Sequence, residues 1–164
     1  MRRPATRGGK PMATPGLHWQ CKPFPALSAP ALYALLQLRG EVFVVEQACA
    51  YLDPDGLDPL AFHWLGWEEQ RLVAHQRCLP PGTPYAGESS IGRIVVASPR
   101  RGRDLGRELL RRGIAFNRER WPAQPIRIGA QARLEGFYEE FGFQRCGEPY
   151  LEDGISHVHM RLAP

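Results

Sequence analysis

Several features that identify large protein classes are missing from this sequence. No apolar run reaches the roughly 18 residues that a membrane-spanning helix needs, and no segment repeats along the chain of 164 residues. The four cysteines, Cys21, Cys49, Cys78 and Cys146, form no C-x-x-C pair, and no histidine is spaced to complete a zinc site with them. Cysteines in apolar or alternating runs usually act as small buried side chains. We therefore expect no metal site, no membrane partner and a reduced, cytoplasmic protein.

The excess of positive charge is confined to the beginning of the chain. The formal net charge is +4, and Arg2, Arg3, Arg7 and Lys10 account for all of it, so the remaining sequence is formally neutral. Residues 1–15 contain almost no large apolar side chain and lack the apolar core of a signal peptide. We expect residues 1–15 to form a disordered tail, and residues 16–164 have the length of one domain with a substantial core.

Periodic patterns predict one domain that mixes helices and strands. Ser28 is a good N-cap, and Pro30 stands in the first turn of a helix whose apolar spacing extends to Phe43. Other segments show the two patterns typical of strands, which are apolar residues at every second position and short runs of apolar residues. The predicted strands are Leu17–Lys22, Phe62–Trp67, Arg71–Leu79, Ser90–Val96, Ile126–Ala130 and Val158–Leu162, and a second long helix runs from Leu105 to near Trp121.

The segment from Arg101 to Arg107 has the composition of an anion-binding turn. It follows an apolar strand and opens an amphipathic helix, so its leading amides point into solvent where the helix dipole favours negative charge. Gly102 and Gly106 let the backbone approach a ligand closely, and the arginines add positive charge. These features predict a pyrophosphate-binding turn, with a solvated loop as the alternative. The absence of GxGxxG and GxxxxGK[ST] argues against a dinucleotide fold and a P-loop.

The order of strand, Arg-Gly turn, helix, strand, short helix and Phe137–Phe143 resembles the GNAT superfamily of N-acetyltransferases. The superfamily's acetyl-CoA motif, Gln/Arg-x-x-Gly-x-Gly/Ala, falls here on Arg101 to Gly106. Asp104 stands where the family usually has its middle glycine. Aspartate tolerates left-handed backbone better than most residues, so we expect the turn to keep its shape with the carboxylate facing away from the phosphates.

A narrower resemblance, to the ElaA-like acetyltransferases, extends from about Leu17 to Met160. It is carried by Leu32–Arg39 with Val42–Gln47, Cys49–Asp58, His63–Trp67, Ile91–Arg93, Gly129–Ala132, and Tyr150–Ile155 with His157. The resemblance implies one GNAT-type α/β (α+β) domain, with a mixed, mostly antiparallel sheet of about six or seven strands and about four flanking helices. It also implies an acetyl-CoA-dependent enzyme, a monomer or homodimer, that acetylates a primary amine of a small molecule or peptide by direct attack on the thioester.

Acetyl transfer requires a clamp for CoA and an acid for the departing sulfur. The resemblance assigns CoA binding to Ile94, Val95, Val96, Arg101, Gly102, Arg103, Asp104, Leu105, Gly106, Arg107 and Gln131. We expect Tyr138 to be the general acid, because a phenol with a pKa near 10 is protonated at neutral pH and can protonate a thiolate. The alternative is that Tyr138 is an ordinary core aromatic residue.

The general base and the acceptor-binding residues are left open by the sequence. The candidates are Glu46, His63, His157 and Asp153, together with His75, Glu152 or a chain of water molecules. Asp53, Asp55 and Asp58 are either solvated carboxylates of a Pro-Asp-Gly turn or the border of an acidic groove that attracts a cationic amine. In the second case the acceptor would be a polyamine, an aminoglycoside-like amine, or a lysine or N-terminal amine.

Two other classes of function compete with an enzyme. A non-catalytic CoA-binding or sensor domain would keep the Arg-Gly turn and need neither acid nor base. Nucleic-acid binding could use the six arginines between positions 100 and 112. That segment lacks interleaved aromatic residues and a recognised binding module, so we expect no nucleic-acid partner.

Overall fold

The computed structural model describes residues 16–164, so the tail predicted for residues 1–15 lies outside the described residues. The strands are β1 (Leu17–Pro23), β2 (Phe62–Glu68), β3 (Arg71–Leu79), β4 (Ser89–Val96), β5 (Ile126–Gln131), β6 (Gln144–Arg145), β7 (Tyr150–Glu152) and β8 (Ile155–Leu162). The α-helices are α1 (Ala29–Arg39), α2 (Leu105–Arg120) and α3 (Glu135–Glu139), and a π-helix occupies Gly40–Glu46.

The strands form one mixed sheet in the order β1-β2-β3-β4-β5-β8-β6, with β7 paired to β8. Paired strands are antiparallel except β4 and β5, which run parallel. The predicted fold class, a mostly antiparallel mixed sheet with flanking helices, is confirmed. Within residues 16–164 there are eight strands and three α-helices. The strand number exceeds the prediction because β6 and β7 are too short to show a periodic pattern.

The first helix begins as its sequence predicts and then changes type. Its N-terminus is capped by the Ser28 hydroxyl oxygen, which accepts the Ala31 N–H at 3.2 Å. After Arg39 the chain continues as a π-helix, in which the Gln47 N–H donates to the Val42 carbonyl five residues earlier at 3.1 Å. Such wider turns are rare and often occur at functional sites.

Helices cover both faces of the sheet, and the alternation of side chains along each strand decides which helix they meet. Gln76 of β3 points towards α2, since its side-chain nitrogen donates to the Leu109 carbonyl at 2.5 Å. Its neighbours His75 and Arg77 point to the opposite side, where α1 ends at Arg39. We call these two sides the α2 face and the α1 face of the sheet.

Strands β4 and β5 separate soon after they meet. They pair at Ser89 with Ile126 and at Ser90 with Arg127, and beyond Ser90 no described residue of β4 pairs with β5. On its other edge β4 carries a bulge, where Arg93 has a φ of +51° and the register with β3 shifts. Because a bulge increases the local twist of a strand, β4 turns away from β5. A gap is left at the centre of the sheet.

Candidate active site

A cavity of about 590 Å³ occupies the gap between β4 and β5. Its wall includes Ile128 and Gly129, neighbours in β5 that lie on opposite faces of the sheet, so the cavity reaches both faces. The predicted site residues in its wall are Glu46, Ile94, Val95, Val96, Arg101, Gln131, Tyr138, Glu152, Asp153 and His157. Among the other predicted residues, His63, His75 and the segment 102–107 are not part of the wall.

An ion pair crosses the mouth of the cavity where the predicted pyrophosphate-binding turn begins. The Arg101 guanidinium donates to both carboxylate oxygens of Glu46, one of them at 2.9 Å, and its Nε donates to the Val96 carbonyl at 3.1 Å. The hydrogen bond from Arg101 lowers the pKa of Glu46. Glu46 is therefore ionised at neutral pH and is a weaker base than an ordinary glutamate.

Asp104 has the left-handed backbone that was expected where the family has glycine. Its φ is +56° and its ψ is 9°, and it stands at the N-cap of α2 without a capping hydrogen bond from its side chain. The side chain is 85 % exposed, and its Oδ1 lies 3.4 Å from Arg107 Nε. The turn therefore keeps a shape that glycine would also adopt, with the carboxylate directed into solvent.

Tyr138 reaches the cavity from α3 on the α2 face. It belongs to the same apolar cluster as Leu110 of α2 and Ile128 of β5. The ring meets Phe137 and Phe143 edge-on, with centroid distances of 5.2 Å and 6.0 Å. Only 7 % of the residue is exposed, and this burial raises the pKa of Tyr138 to about 12. The phenol is consequently protonated throughout the neutral range.

His157 lines the cavity from β8 on the α1 face, while its neighbour Val158 turns into the apolar cluster of the α2 face. Its Nδ1 lies 2.8 Å from the Ile155 carbonyl oxygen. A carbonyl oxygen only accepts, so this contact assigns the proton of the neutral ring to Nδ1 and leaves the lone pair on Nε2. Nε2 lies 3.6 Å from Glu152 Oε2.

His63 and His75 lie away from the cavity, stacked on each other in the interior. His63 Nδ1 is 3.1 Å from His75 Nε2, and His63 Nε2 is 3.0 Å from the Asp58 carbonyl oxygen. Both rings are fully buried, and burial lowers the pKa of each. Both ring nitrogens of His63 therefore have a partner inside the protein. Strand β2, which carries His63, does not line the cavity.

The three aspartates after the first helix belong to a ring of six alternating charges on the α1 face. Each carboxylate is held by two guanidinium groups, and each guanidinium holds two carboxylates. The order around the ring is Arg39, Asp53, Arg93, Asp55, Arg77, Asp58 and back to Arg39.

This ring corrects the first interpretation for two of the aspartates, since Asp53 and Asp58 are buried rather than solvated. Asp55 is exposed and lines the cavity, but it is paired with Arg77 and Arg93, so no carboxylate of the ring is free to attract an amine. Burial would raise the pKa values of Asp55 and Asp58, but the hydrogen bonds and charges of the arginines outweigh it and hold both below the usual range. The ring is neutral as a whole, and it fixes the loop before β2 to α1.

Three further hydrogen bonds lie around the mouth of the cavity on the α1 face. Gln131 donates to the Gln47 side-chain oxygen at 3.1 Å and accepts from Arg133 Nε at 3.0 Å. The Cys49 thiol donates to the Asp153 carbonyl at 3.4 Å. Gln47, Cys49 and Arg133 line the cavity, yet no local pattern in the sequence distinguishes them from ordinary loop residues.

Most arginines of the run 100–112 are held by side chains of the same domain. The pairs are Arg100 with Glu68, Arg101 with Glu46, Arg107 with Glu140 and Arg112 with Glu108, and Arg111 lies over the Phe141 ring. The acidic partners of these arginines belong to several neighbouring elements. Such dispersed, paired charges do not form the continuous basic stripe that nucleic-acid binding uses.

Comparison with known proteins assigns this fold to a family. The acetyltransferase (GNAT) domain family matches residues 56–164. Protein ElaA of Escherichia coli strain K12 is 42 % identical over 146 residues, which cover 88 % of this chain and 95 % of ElaA. The chain therefore belongs to the GNAT superfamily and, within it, to the ElaA-like family.

Solved structures show the same relationship. An acyl-CoA N-acyltransferase from Pseudomonas aeruginosa has a TM-score of 0.86 and 43 % identity, covering 90 % of this chain and 99 % of that one. The crystal structure of E. coli ElaA has a TM-score of 0.82 and 41 % identity, covering 88 % and 99 %. A GNAT family acetyltransferase from Elizabethkingia anophelis with acetyl-CoA bound shares the fold alone, at 14 % identity, a TM-score of 0.59 and coverage of 92 % and 100 %. Family membership supports an acyl-CoA N-acyltransferase activity.

Residues 16–164 contain neither a cluster of metal ligands nor a membrane-spanning helix. Within this range, no group of three or more histidine, cysteine, aspartate or glutamate side chains is arranged to hold a metal ion. None of the described helices combines the length and the apolar character needed to span a bilayer.

Proposed function

We propose that this chain transfers an acetyl group from acetyl-CoA to a primary amine that attacks the thioester directly. The observation that carries the proposal is the cavity between β4 and β5, which reaches both faces of the sheet, with Tyr138 on one side and His157 on the other. A thioester in this gap would have an acid beside the leaving sulfur and a base beside the incoming amine. The two substrates would enter from opposite faces.

The features that support CoA binding are the free edge of β4 and the turn after it. The edge of β4 that faces the gap has backbone groups not used by β5, so an amide within Ile94–Val96 is available to the thioester carbonyl. Gly102 and Gly106 keep side chains out of the turn, and an added β-carbon at Gly106 would meet Val96 at an ordinary 3.9 Å. Arg101 and the first amides of α2 supply positive charge for the two phosphates.

An amine that is cationic in solution first gives one proton to water and attacks as the free base. The reaction must then take one further proton from the amine and give one to the sulfur. The amine nitrogen attacks the carbonyl carbon, a C–N bond forms, and the oxygen carries the negative charge of the tetrahedral intermediate. His157 Nε2 accepts the amine proton. When the C–S bond breaks, Tyr138 gives its proton to the sulfur, so the products are the amide and free CoA thiol. The proton on His157 then returns to the phenolate through solvent.

The burial of Tyr138 decides how it can assist the departing sulfur. Its pKa of about 12 compares with about 8.5 for an ordinary thiol, so full transfer to a free thiolate is uphill by roughly 5 kcal/mol. A hydrogen bond from a protonated phenol to a partly charged sulfur carries no such penalty. Tyr138 is therefore proposed to stabilise the sulfur first, and to transfer its proton as the C–S bond breaks.

The acceptor is proposed to be a cationic amine that enters from the α1 face. Glu152 and Asp153 are exposed beside His157 at that mouth, whereas Asp55 is already neutralised by the ring of charges. Exposed carboxylates at a cavity mouth raise the local concentration of cations. Polyamines, aminoglycoside-like amines, and the lysine or N-terminal amines of peptides fit this description.

The test combines thermal unfolding with CoA and the release of free thiol from acetyl-CoA in the presence of an amine library. We expect CoA to raise the melting temperature, since a ligand that binds only the native state stabilises it. Gly106→Leu should abolish this rise without lowering the melting temperature of the free protein. Ala115→Leu, at an exposed position of the same helix, is the matched control and should retain the rise.

The outcomes separate the competing classes of function. No change of melting temperature at millimolar CoA would remove the proposal altogether. A rise in melting temperature without thiol release for any amine would favour the non-catalytic CoA-binding or sensor domain. Release that depends on a cationic amine would support the enzyme and identify its acceptor class.

A further inference from the structure

The β7–β8 hairpin places a second tyrosine against the proposed base. Tyr150 of β7 lies opposite His157 of β8, and the two rings stack with centroids 5.7 Å apart and planes inclined by 28°. Tyr150 also stacks on His159, at 4.6 Å and 23°. His157 and His159 are two residues apart on one strand, so they share a face and both meet the same tyrosine ring.

Gly129 makes room for this arrangement. A β-carbon added at Gly129 would lie 2.7 Å from the Tyr150 hydroxyl oxygen, a separation that real β-carbons essentially never show. Gly129 pairs with His159 across β5 and β8, so the phenol extends over bare backbone at this point of the sheet. Any larger residue at position 129 would displace the tyrosine.

The orientation of His157 is what the stacked ring restricts. Turning the imidazole by about 180° about its outer side-chain bond exchanges Nδ1 with Cδ2 and Nε2 with Cε1, and this torsion is intrinsically broad. In the observed orientation Nδ1 meets the Ile155 carbonyl at 2.8 Å, which leaves Nε2 as the basic nitrogen. The turned ring would present Cδ2 to that carbonyl, so the contact that holds the proton on Nδ1 would be lost. A ring packed flat against the imidazole must be pushed aside before this turn can occur.

We infer that Tyr150 is a positioning residue, which holds the His157 imidazole with its proton on Nδ1 and its lone pair on Nε2. Tyr150 is not part of the cavity wall, so it acts through His157 rather than on substrate. The inference rests on the proposed function, in which His157 Nε2 takes the amine proton. The ring, and not the hydroxyl, carries this role.

Nitrogen-15 NMR of labelled histidines tests the inference, because long-range proton–nitrogen couplings distinguish the two neutral tautomers. The His157 signal is identified by its loss in His157→Gln. Wild type and Tyr150→Phe should both show one Nδ1–H tautomer and similar turnover. Tyr150→Leu should show a mixture of tautomers and a kcat lower by about tenfold or more, with an unchanged KM for acetyl-CoA. Tyr85→Leu, which removes a ring packed against His159 but not against His157, is the matched control.

Gly129→Ala tests the contact between Tyr150 and His157 by crowding the Tyr150 hydroxyl. The added methyl group should displace Tyr150, mix the tautomers of His157 and lower kcat. Adding Tyr150→Phe removes the hydroxyl that the methyl meets, so the double variant should recover both the single tautomer and the turnover. A methyl group that merely obstructed the cavity would not be relieved in this way.

A single Nδ1–H tautomer in Tyr150→Leu would overturn the inference, and so would a defect of Gly129→Ala that Tyr150→Phe leaves unchanged. The tautomer is measured without acceptor or CoA. Failure of the proposed function would instead appear as absent thiol release in the wild type, whatever the NMR signal shows.

Discussion

The Tyr138 hydroxyl can be removed without disturbing the packing around its ring. Tyr138→Phe retains the edge-on contacts with Phe137 and Phe143. We expect kcat to fall by about 100-fold or more, the usual scale for a positioned acid. The KM for acetyl-CoA should stay near the wild-type value, because the lost interaction forms mainly in the transition state. Steady-state thiol release with a slowly reacting amine measures both constants.

The control for this prediction is Tyr33→Phe, an exposed position on α1 that should leave both constants unchanged. If Tyr138→Phe turns over like the wild type when chemistry limits the rate, Tyr138 is only a packing residue and water protonates the sulfur.

Asp104 combines a left-handed backbone with an exposed carboxylate close to where two phosphates are expected. Asp104→Gly removes the charge and relieves the cost of positive φ, so CoA should bind at least as tightly as to the wild type. Isothermal titration with CoA measures the change. Asp104→Asn removes the charge but keeps a residue that tolerates this backbone, and therefore separates the two effects. Weaker binding by both variants would mean that the carboxylate orders the turn through Arg107.

At the scale of elements, the π-helix determines which residue meets the turn that we propose to bind the phosphates. A π-helix has more residues per turn than an α-helix, so the side chains after Gly40 are rotated relative to those an α-helix would present. The result is that Glu46 pairs with Arg101, while its neighbour Gln47 bonds to Gln131 of β5. One short element thus connects α1 to both sides of the cavity mouth.

In the proposed CoA complex, the pair between Glu46 and Arg101 would compete with the phosphates for the same guanidinium. Both side chains are exposed, so the pair itself contributes little to folding. Glu46→Gln should therefore leave the melting temperature nearly unchanged and tighten CoA binding by about two- to fivefold. Titration with CoA measures the effect.

Glu68→Gln is the matched control, because it releases Arg100, one residue away in the same turn. If Glu46→Gln binds CoA more weakly, the carboxylate prepares Arg101 for the phosphates instead of competing with them. A large fall in kcat in this variant would identify Glu46 as the base.

For the molecule as a whole, His63 and His75 make stability depend on pH in the mildly acid range. Burial holds both pKa values below the ordinary 6.5, so the unfolded chain binds protons that the native state does not. The stability that these neutral histidines contribute is therefore complete above about pH 6.5. At lower pH the free energy of unfolding decreases, by up to ~1.4 kcal/mol per pH unit for each histidine. Asp55 and Asp58 add a loss only as the pH falls below 3.8.

Urea unfolding between about pH 8 and pH 5 measures this dependence. His75→Gln should reduce its slope by roughly a third, because His63 and the partly buried His159, whose pKa values burial also lowers, remain. His18→Gln, at an exposed position, should leave the slope unchanged. A constant free energy of unfolding over this range would mean that the buried pair accepts a proton in the native state.

The parts of the fold that the sequence predicts are those fixed by near neighbours. The Ser28 cap and the strands β2 and β3 follow from local patterns, and all three are confirmed. The ring of six charges brings together residues from Arg39 to Arg93, which no local pattern connects. One signal was present: Arg39 occupies an apolar position of the first helix, and a buried charge requires partners.

The same limit applies to the candidate site. Strand β4, the Arg-Gly turn and Tyr138, which we propose to meet CoA, belong to one sequence motif. The candidate bases His63 and His157 are single residues. His63 and His157 both lie in strands, and only the tertiary structure shows that His63 is enclosed on the α1 face while His157 lines the cavity. The local sequence around each histidine does not contain this difference.

The bulge at Arg93 also resets the phase of strand β4. Ile91 lies opposite Cys78 on the α2 face, yet Val95 lies opposite His75 on the α1 face, although a regular strand would return both to the same side. The bulge adds one residue to β4 without adding one to β3, so each later side chain of this cavity wall lies on the face opposite to the one that a regular strand would give it. Loss of one residue between Gly92 and Val95 would exchange the two faces of the strand from that point on.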